Sequence, residues 1–201
     1  KEVQPNDSAF FVLKLLVNDS LITSFHEESL KQLTFKDVKE KAIADFKVPF
    51  TDKTLKTEFK RDEWEDLFCS LQLSTLQLLV NDFQNKMYQP AQGGSSERFF
   101  VWVFEAVQML RPMLRTGQFE SVKKSLDYIF SLQDAGFPPV GKFTTTSGAI
   151  GTTGPRWANT TGMALALACD YYLYSKDQQF MEDYLSKILK AVHWILGEIK
   201  A

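Results

Sequence analysis

The chain reads as a mainly α protein of repeated helical hairpins behind a short N-terminal β segment, and two observations carry that expectation. A helix–turn–helix unit occurs twice: Leu114-Arg-Thr-Gly-Gln-Phe119 followed by Val122-Lys-Lys-Ser-Leu-Asp-Tyr-Ile-Phe130, and Leu173-Tyr-Ser-Lys-Asp-Gln-Gln-Phe180 followed by Ile188-Leu-Lys-Ala-Val-His-Trp-Ile195. The copies lie about 60 residues apart, as expected of stacked hairpins with a long loop between them. In addition, apolar residues recur at helical spacing from Lys36 onward.

Taken in order, residues 1–36 differ from the rest. Ala9–Val17 is rich in Phe, Val and Leu, follows the turn-forming Pro5-Asn-Asp-Ser8, and reads as a strand. Lys31–Phe35 is a second short strand by the same criteria. Two strands alone are marginal, so the segment packs on the helices or forms the tail of a larger sheet. Residues 37–61 are a linker: a helix near 36–47 that stops at Pro49, whose ring disfavours helix in the residue before it, then a polar connector.

The hairpin domain spans 62–201. Its first helix is expected from Asp62 to Asp82, with Trp64, Leu67, Phe68, Leu71, Leu78 and Leu79 at steps of three and four. The acids Asp62, Glu63, Glu65 and Asp66 complement the positive end of its dipole. Gln89–Ser96 is a loop, and Ser95 or Ser96 can cap the next helix, Arg98–Arg115. That helix is apolar nearly all round, which predicts burial on most sides and makes Glu105 an isolated carboxylate that needs a partner or a polar cavity. Phe119–Gln133 is amphipathic with lysines outward. Asn159–Tyr174 and Gln178–Lys200 repeat the contrast between an inner and an outer helix.

Composition excludes several classes of function. The net charge of −2 and the absence of a basic run argue against nucleic acid. No apolar stretch approaches the roughly 20 residues that span a bilayer. The chain begins at Lys1 without a signal-peptide pattern, which reads as a processed chain or a piece of a longer one. Cys69 and Cys169 read as buried small hydrophobes; a disulfide between them is possible but not required. Sequons at Asn6, Asn18 and Asn159 leave the compartment open. His26 and His193 lack ligand spacing, so neither a metal nor a cofactor is expected. No nucleophilic Ser–His–Asp or Cys–His set emerges.

The segment from Asp134 to Ala158 is long for a loop inside a domain, and loops of that length are usually functional. Its glycines lack the spacing of a phosphate loop. Around it, the pattern of Trp102-Val-Phe-Glu105, Gln133-Asp-Ala-Gly136 and Trp157-Ala-Asn-Thr-Thr-Gly162 resembles the six-hairpin (α/α)6-barrel glycoside hydrolases. In that group an inner helix opens with an aromatic-x-x-acid pattern, an outer helix ends in a Gln-x-Asp-Gly-like turn, and the next inner helix begins near a Trp and small polar residues. The resemblance covers most of the chain and about the first half of such a barrel. It implies a partial α/α toroid after the tail of a β-sandwich.

Glycoside hydrolysis needs two carboxylates, roughly 5 to 9.5 Å apart, flanking the bond. The candidates are Glu105 and Asp134, with Trp102 and Trp157 as flat apolar platforms and Arg98, Arg156 and Asn159 as hydroxyl partners. Each has a structural alternative: Trp102 a core position, Glu105 an ion pair with Arg98 or Arg111, and Asp134 a turn or cap. The expected function is therefore saccharide binding within a glycoside hydrolase. The alternative is a non-catalytic helical scaffold whose open apolar face binds a protein or a second copy, because an incomplete array leaves apolar edges exposed.

Overall fold

The computed structural model describes residues 32, 34–47, 58–82, 85–91, 101–134, 145–151 and 158–200. The chain divides into two compact units, 1–49 and 50–201. Among the described residues there are six helices and one two-stranded antiparallel sheet, so the protein is mainly α. None of these helices is long and apolar enough to cross a membrane. The strand expected over Ala9–Val17 lies outside the described residues.

In the first unit, α1 spans Phe35–Lys47. Its start is a reciprocal cap. The Asp37 N–H donates to Thr34 Oγ1 (3.2 Å), while the Thr34 N–H and hydroxyl donate to Asp37 Oδ2 (3.1 and 2.6 Å). Those two donors hold the Asp37 carboxyl below its ordinary range. The cap overturns the strand expected at Lys31–Phe35: Gln32 and Phe35 are helical, and Thr34-Phe-Lys-Asp37 is a helix start.

The second unit opens with α2, Asp62–Gln77. It ends short of the expected Asp82, because Leu79–Asp82 forms β1 and pairs antiparallel with β2, Met87–Pro90, in the register Leu79↔Pro90 to Asp82↔Met87. Left-handed Lys86 (φ 56°) helps turn the hairpin. Leu78-Leu79-Val80 fits a helical and a strand period equally well, and the poor helix formers Asn81 and Asp82 tip the balance. The apolar row of α2 is not a core stripe, since Trp64, Leu67 and Leu71 are exposed.

Helices α3 (Val103–Arg115) and α4 (Phe119–Ser131) form the first helical hairpin. The turn between them is a Schellman motif: Gln118 N–H reaches Met113 O (2.9 Å), Gly117 N–H reaches Leu114 O (3.2 Å), and Gly117 takes φ 86°. α3 begins later than expected, with Val101 and Trp102 non-helical ahead of it. It is amphipathic, not apolar all round. Val103, Ala106, Val107, Leu110, Met113 and Leu114 face the core, while Trp102, Phe104, Glu105 and Gln108 are exposed. α4 buries Val122, Ser125, Leu126, Ile129 and Phe130 and packs on β2, where Lys124 Nζ lies 4.9 Å from the Tyr88 ring centre.

The second hairpin comprises α5 (Ala158–Ser175) and α6 (Gln178–Lys200), so both copies of the repeated unit are helix–turn–helix. Here the turn uses left-handed Lys176 (φ 57°) and then Asp177, whose Oδ1 caps the Phe180 N–H at 3.0 Å. Asp177 Oδ2 also accepts from Lys123 Nζ (2.7 Å) and the Tyr171 hydroxyl (2.9 Å), which joins this turn to α4. These donors, Lys123 foremost, hold Asp177 below the usual carboxylate range. Burial first, and then Asp177, push the Tyr171 phenol up to about 12. Burial first, then a bond to Asp127 Oδ1 (2.7 Å), raises Tyr184 as well.

The core lies among α3, α4, α5 and α6. α3 packs most extensively on α5, and Arg111 on α3 pairs with Asp170 on α5 at 2.9 Å. An aromatic run, Tyr171, Phe180, Tyr184 and Phe130, crosses it with centroids 4.7 to 5.0 Å apart. Both cysteines are free; Cys69 is half-buried, and Cys169 is exposed instead of buried as expected.

Candidate functional site

The loop after α4 sets the geometry of one end of this four-helix unit. Gln133 bridges to Ile150 in antiparallel fashion, and Asp134 N–H donates to Ala149 O at 2.9 Å. Ile150 is in turn held by the first turn of α5: Thr161 Oγ1 accepts from Ile150 N–H (3.0 Å) and donates to Ile150 O (3.2 Å). The end of α4 therefore lies beside the start of α5. Because α4 runs back along α3 through a tight turn, the N-terminal ends of α3 and α5 lie at that same end.

That end carries three of the residues expected at a saccharide site. Trp102 is the N-cap residue of α3 and is 37% exposed, Glu105 is in its first turn and exposed, and Asn159 is exposed in the first turn of α5. Phe104, expected to be buried within an apolar helix, is 40% exposed and adds an aromatic surface. Asn159 Oδ1 accepts the Thr160 N–H at 2.8 Å. Arg98, Arg156 and Trp157 lie outside the described residues.

The isolated, buried carboxylate expected at Glu105 is overturned: an exposed side chain keeps its hydration and needs no compensating charge. Nor does Glu105 pair with Arg111, which is committed to Asp170. A negative charge in the first turn also suits the helix dipole, whatever else it does.

Asp134 is placed differently. It is a turn residue in the left-handed region (φ 66°) with Oδ1 on the Gly148 N–H and Oδ2 on Lys190 Nζ. Gln133 acts beside it, its Nε2 donating to Gly148 O (3.1 Å) and Lys187 O (2.9 Å). Trp194 Nε1 donates to Thr145 O at 2.8 Å. Gly148 takes φ 103° and sits so close to α6 that a Cβ there would lie 2.3 Å from Lys190 O. This set of contacts fastens residues 145–150 onto α6.

Among the described residues no group of three or more His, Cys, Asp and Glu is placed to hold a metal ion. Comparison with family models, curated proteins and solved structures finds no match for the chain.

Proposed function

We propose that this chain is a saccharide-binding, helical-hairpin part of a glycoside hydrolase of the α/α-toroid type, with the sugar seated at the N-terminal ends of α3 and α5. The observation that supports the reading is the shared exposure of Trp102, Glu105 and Asn159 at one end of two packed helices. An aromatic face stacks on the C–H side of a pyranose, an amide donates to its hydroxyls, and a carboxylate accepts from them or serves the glycosidic oxygen.

In this reading Glu105 is the carboxylate that meets substrate. Asp134, with both oxygens engaged by Gly148 and Lys190, holds the adjoining loop; it becomes the second carboxylate of a hydrolytic pair only if substrate displaces Lys190.

Thermal unfolding against mono- and oligosaccharides tests the proposal. A ligand at ten times its Kd adds about 1.4 kcal/mol to the native state. For a chain of this size that raises Tm by about 3–6 °C. The shift is expected to vanish in Trp102→Ala and shrink in Asn159→Ala. No shift with any sugar, or a shift that survives Trp102→Ala, refutes the site.

A further inference from the structure

On α6 the side away from the core is not polar. Leu185, Leu189, Val192, Leu196 and Ile199 are exposed, by 75% at Ile199, and succeed one another at alternating steps of four and three. That is the spacing of a helix seam packed against another helix. The stripe runs for about 21 Å along the helix. Phe180, Ala191 and Trp194 are fully committed to the core on another face, so the stripe is additional to the fold and not a poorly packed part of it.

We infer that α6 is a self-association surface, pairing antiparallel with α6 of a second copy across a two-fold axis near Val192. Charge placement selects both the occupant and the direction. Glu182 and Lys200 lie on the same edge of the stripe at its opposite ends, both exposed. They are about 60° from the stripe centre on a helix of 3.6 residues per turn. In an antiparallel pair like edges meet, with the ends exchanged. Glu182 of each copy then faces Lys200 of the other, Leu185 faces Ile199, and Leu189 faces Leu196.

In a parallel pair Glu182 would lie level with Glu182 and Lys200 with Lys200, and like charges would sit at each end. Antiparallel pairing also sets each helix N-terminus beside a C-terminus, which aligns the dipoles favourably. One self-complementary patch of this kind meets the requirement of a two-fold dimer. A contact of two helices is at the small end of specific interfaces, so a micromolar dimer is expected.

Light scattering coupled to size exclusion, and sedimentation across about 5–500 µM, reads the result. The expected outcome is a reversible dimer whose dissociation constant rises at least 10-fold in Leu189→Lys/Leu196→Lys, with far-ultraviolet dichroism unchanged because both positions are exposed. Glu182→Lys and Lys200→Glu are each expected to weaken it, and the doubly exchanged variant to restore it. In a background with both native cysteines changed to Ser, an equimolar mixture of Leu185→Cys and Ile199→Cys chains is expected to form the mixed disulfide in preference to either like pair. A monomer throughout, a dimer unaffected by the Lys pair, or preferential Leu185→Cys self-crosslinking overturns the inference. None of these outcomes depends on sugar binding.

Discussion

Asp177 ties three parts of the fold together, and its removal is the most quantitative test of how the two hairpins are joined. One oxygen caps α6 through the Phe180 N–H, and the other receives Lys123 from α4 and the phenol of Tyr171 from α5. Losing the cap costs about 1 kcal/mol. Leaving the buried Tyr171 hydroxyl without its acceptor costs about 1–3 kcal/mol. The Lys123 side chain is 34% exposed and rehydrates, so its loss adds less than about 1 kcal/mol. Asp177→Ala is therefore expected to lower stability by about 3 kcal/mol, or about 6–12 °C in Tm. Asp177→Asn keeps a capping oxygen, and its amide N–H donates to the Tyr171 oxygen in place of accepting the phenol proton, so it is expected to lose about 1–2 kcal/mol. Urea unfolding followed by circular dichroism, with the slope held constant across variants, measures both. A loss below about 1 kcal/mol for Asp177→Ala, or equal losses for Ala and Asn, would refute the assignment of this residue as a joint cap and acceptor.

Three further outcomes follow from neighbouring geometry. Gly148→Ala forces a left-handed alanine and drives its Cβ into the Lys190 carbonyl; urea unfolding should show a loss of at least about 2 kcal/mol. Thr161→Val leaves the buried Ile150 N–H and C=O without their partner and should cost about 2–4 kcal/mol by the same assay. The pH dependence has two edges. The depressed Asp177 contributes stability that is complete above its unfolded value near 3.8 and is lost as pH falls through the lower native value, so the wild-type advantage over Asp177→Asn should disappear in acid. The raised Tyr171 contributes stability that is complete below its unfolded value near 10 and is lost as pH rises toward about 12, an alkaline loss that Tyr171→Phe should reduce in pH-dependent melts.

The helical hairpins were legible because their signals are local and redundant. Gly117 supplies the left-handed turn after α3, Asp177 caps α6, and apolar positions at helical spacing mark the faces between. What was missed is non-local or ambiguous. Leu78–Val80 satisfies either period, and the outcome rests on the poor helix formers Asn81 and Asp82 together with pairing to β2; Thr34-Phe-Lys-Asp37 has the apolar content of a strand, but its reciprocal cap starts a helix.

The exposure of Glu105, Phe104 and Cys169 depends on which face of each helix meets a neighbour, and composition alone cannot select the face. For Asp134 the sequence offers a candidate acid or a turn residue, but its partners, Gly148 and Lys190, lie far along the chain and no local pattern points to them. In the candidate site, the residue types were readable from sequence. The placement of Trp102, Glu105 and Asn159 toward one end follows from the Gln133–Ile150–Thr161 contacts, which only the folded chain contains.

The most direct test of the saccharide site is a nuclear magnetic resonance titration of the isotopically labelled chain with the oligosaccharide that gives the largest thermal shift. Saturable changes are expected at the Trp102 indole N–H, the Asn159 side-chain amide and the backbone of the first turns of α3 and α5, with the α6 stripe unaffected. Absence of saturable changes, or changes centred on α6 or on the Lys123–Asp177 junction, would contradict it.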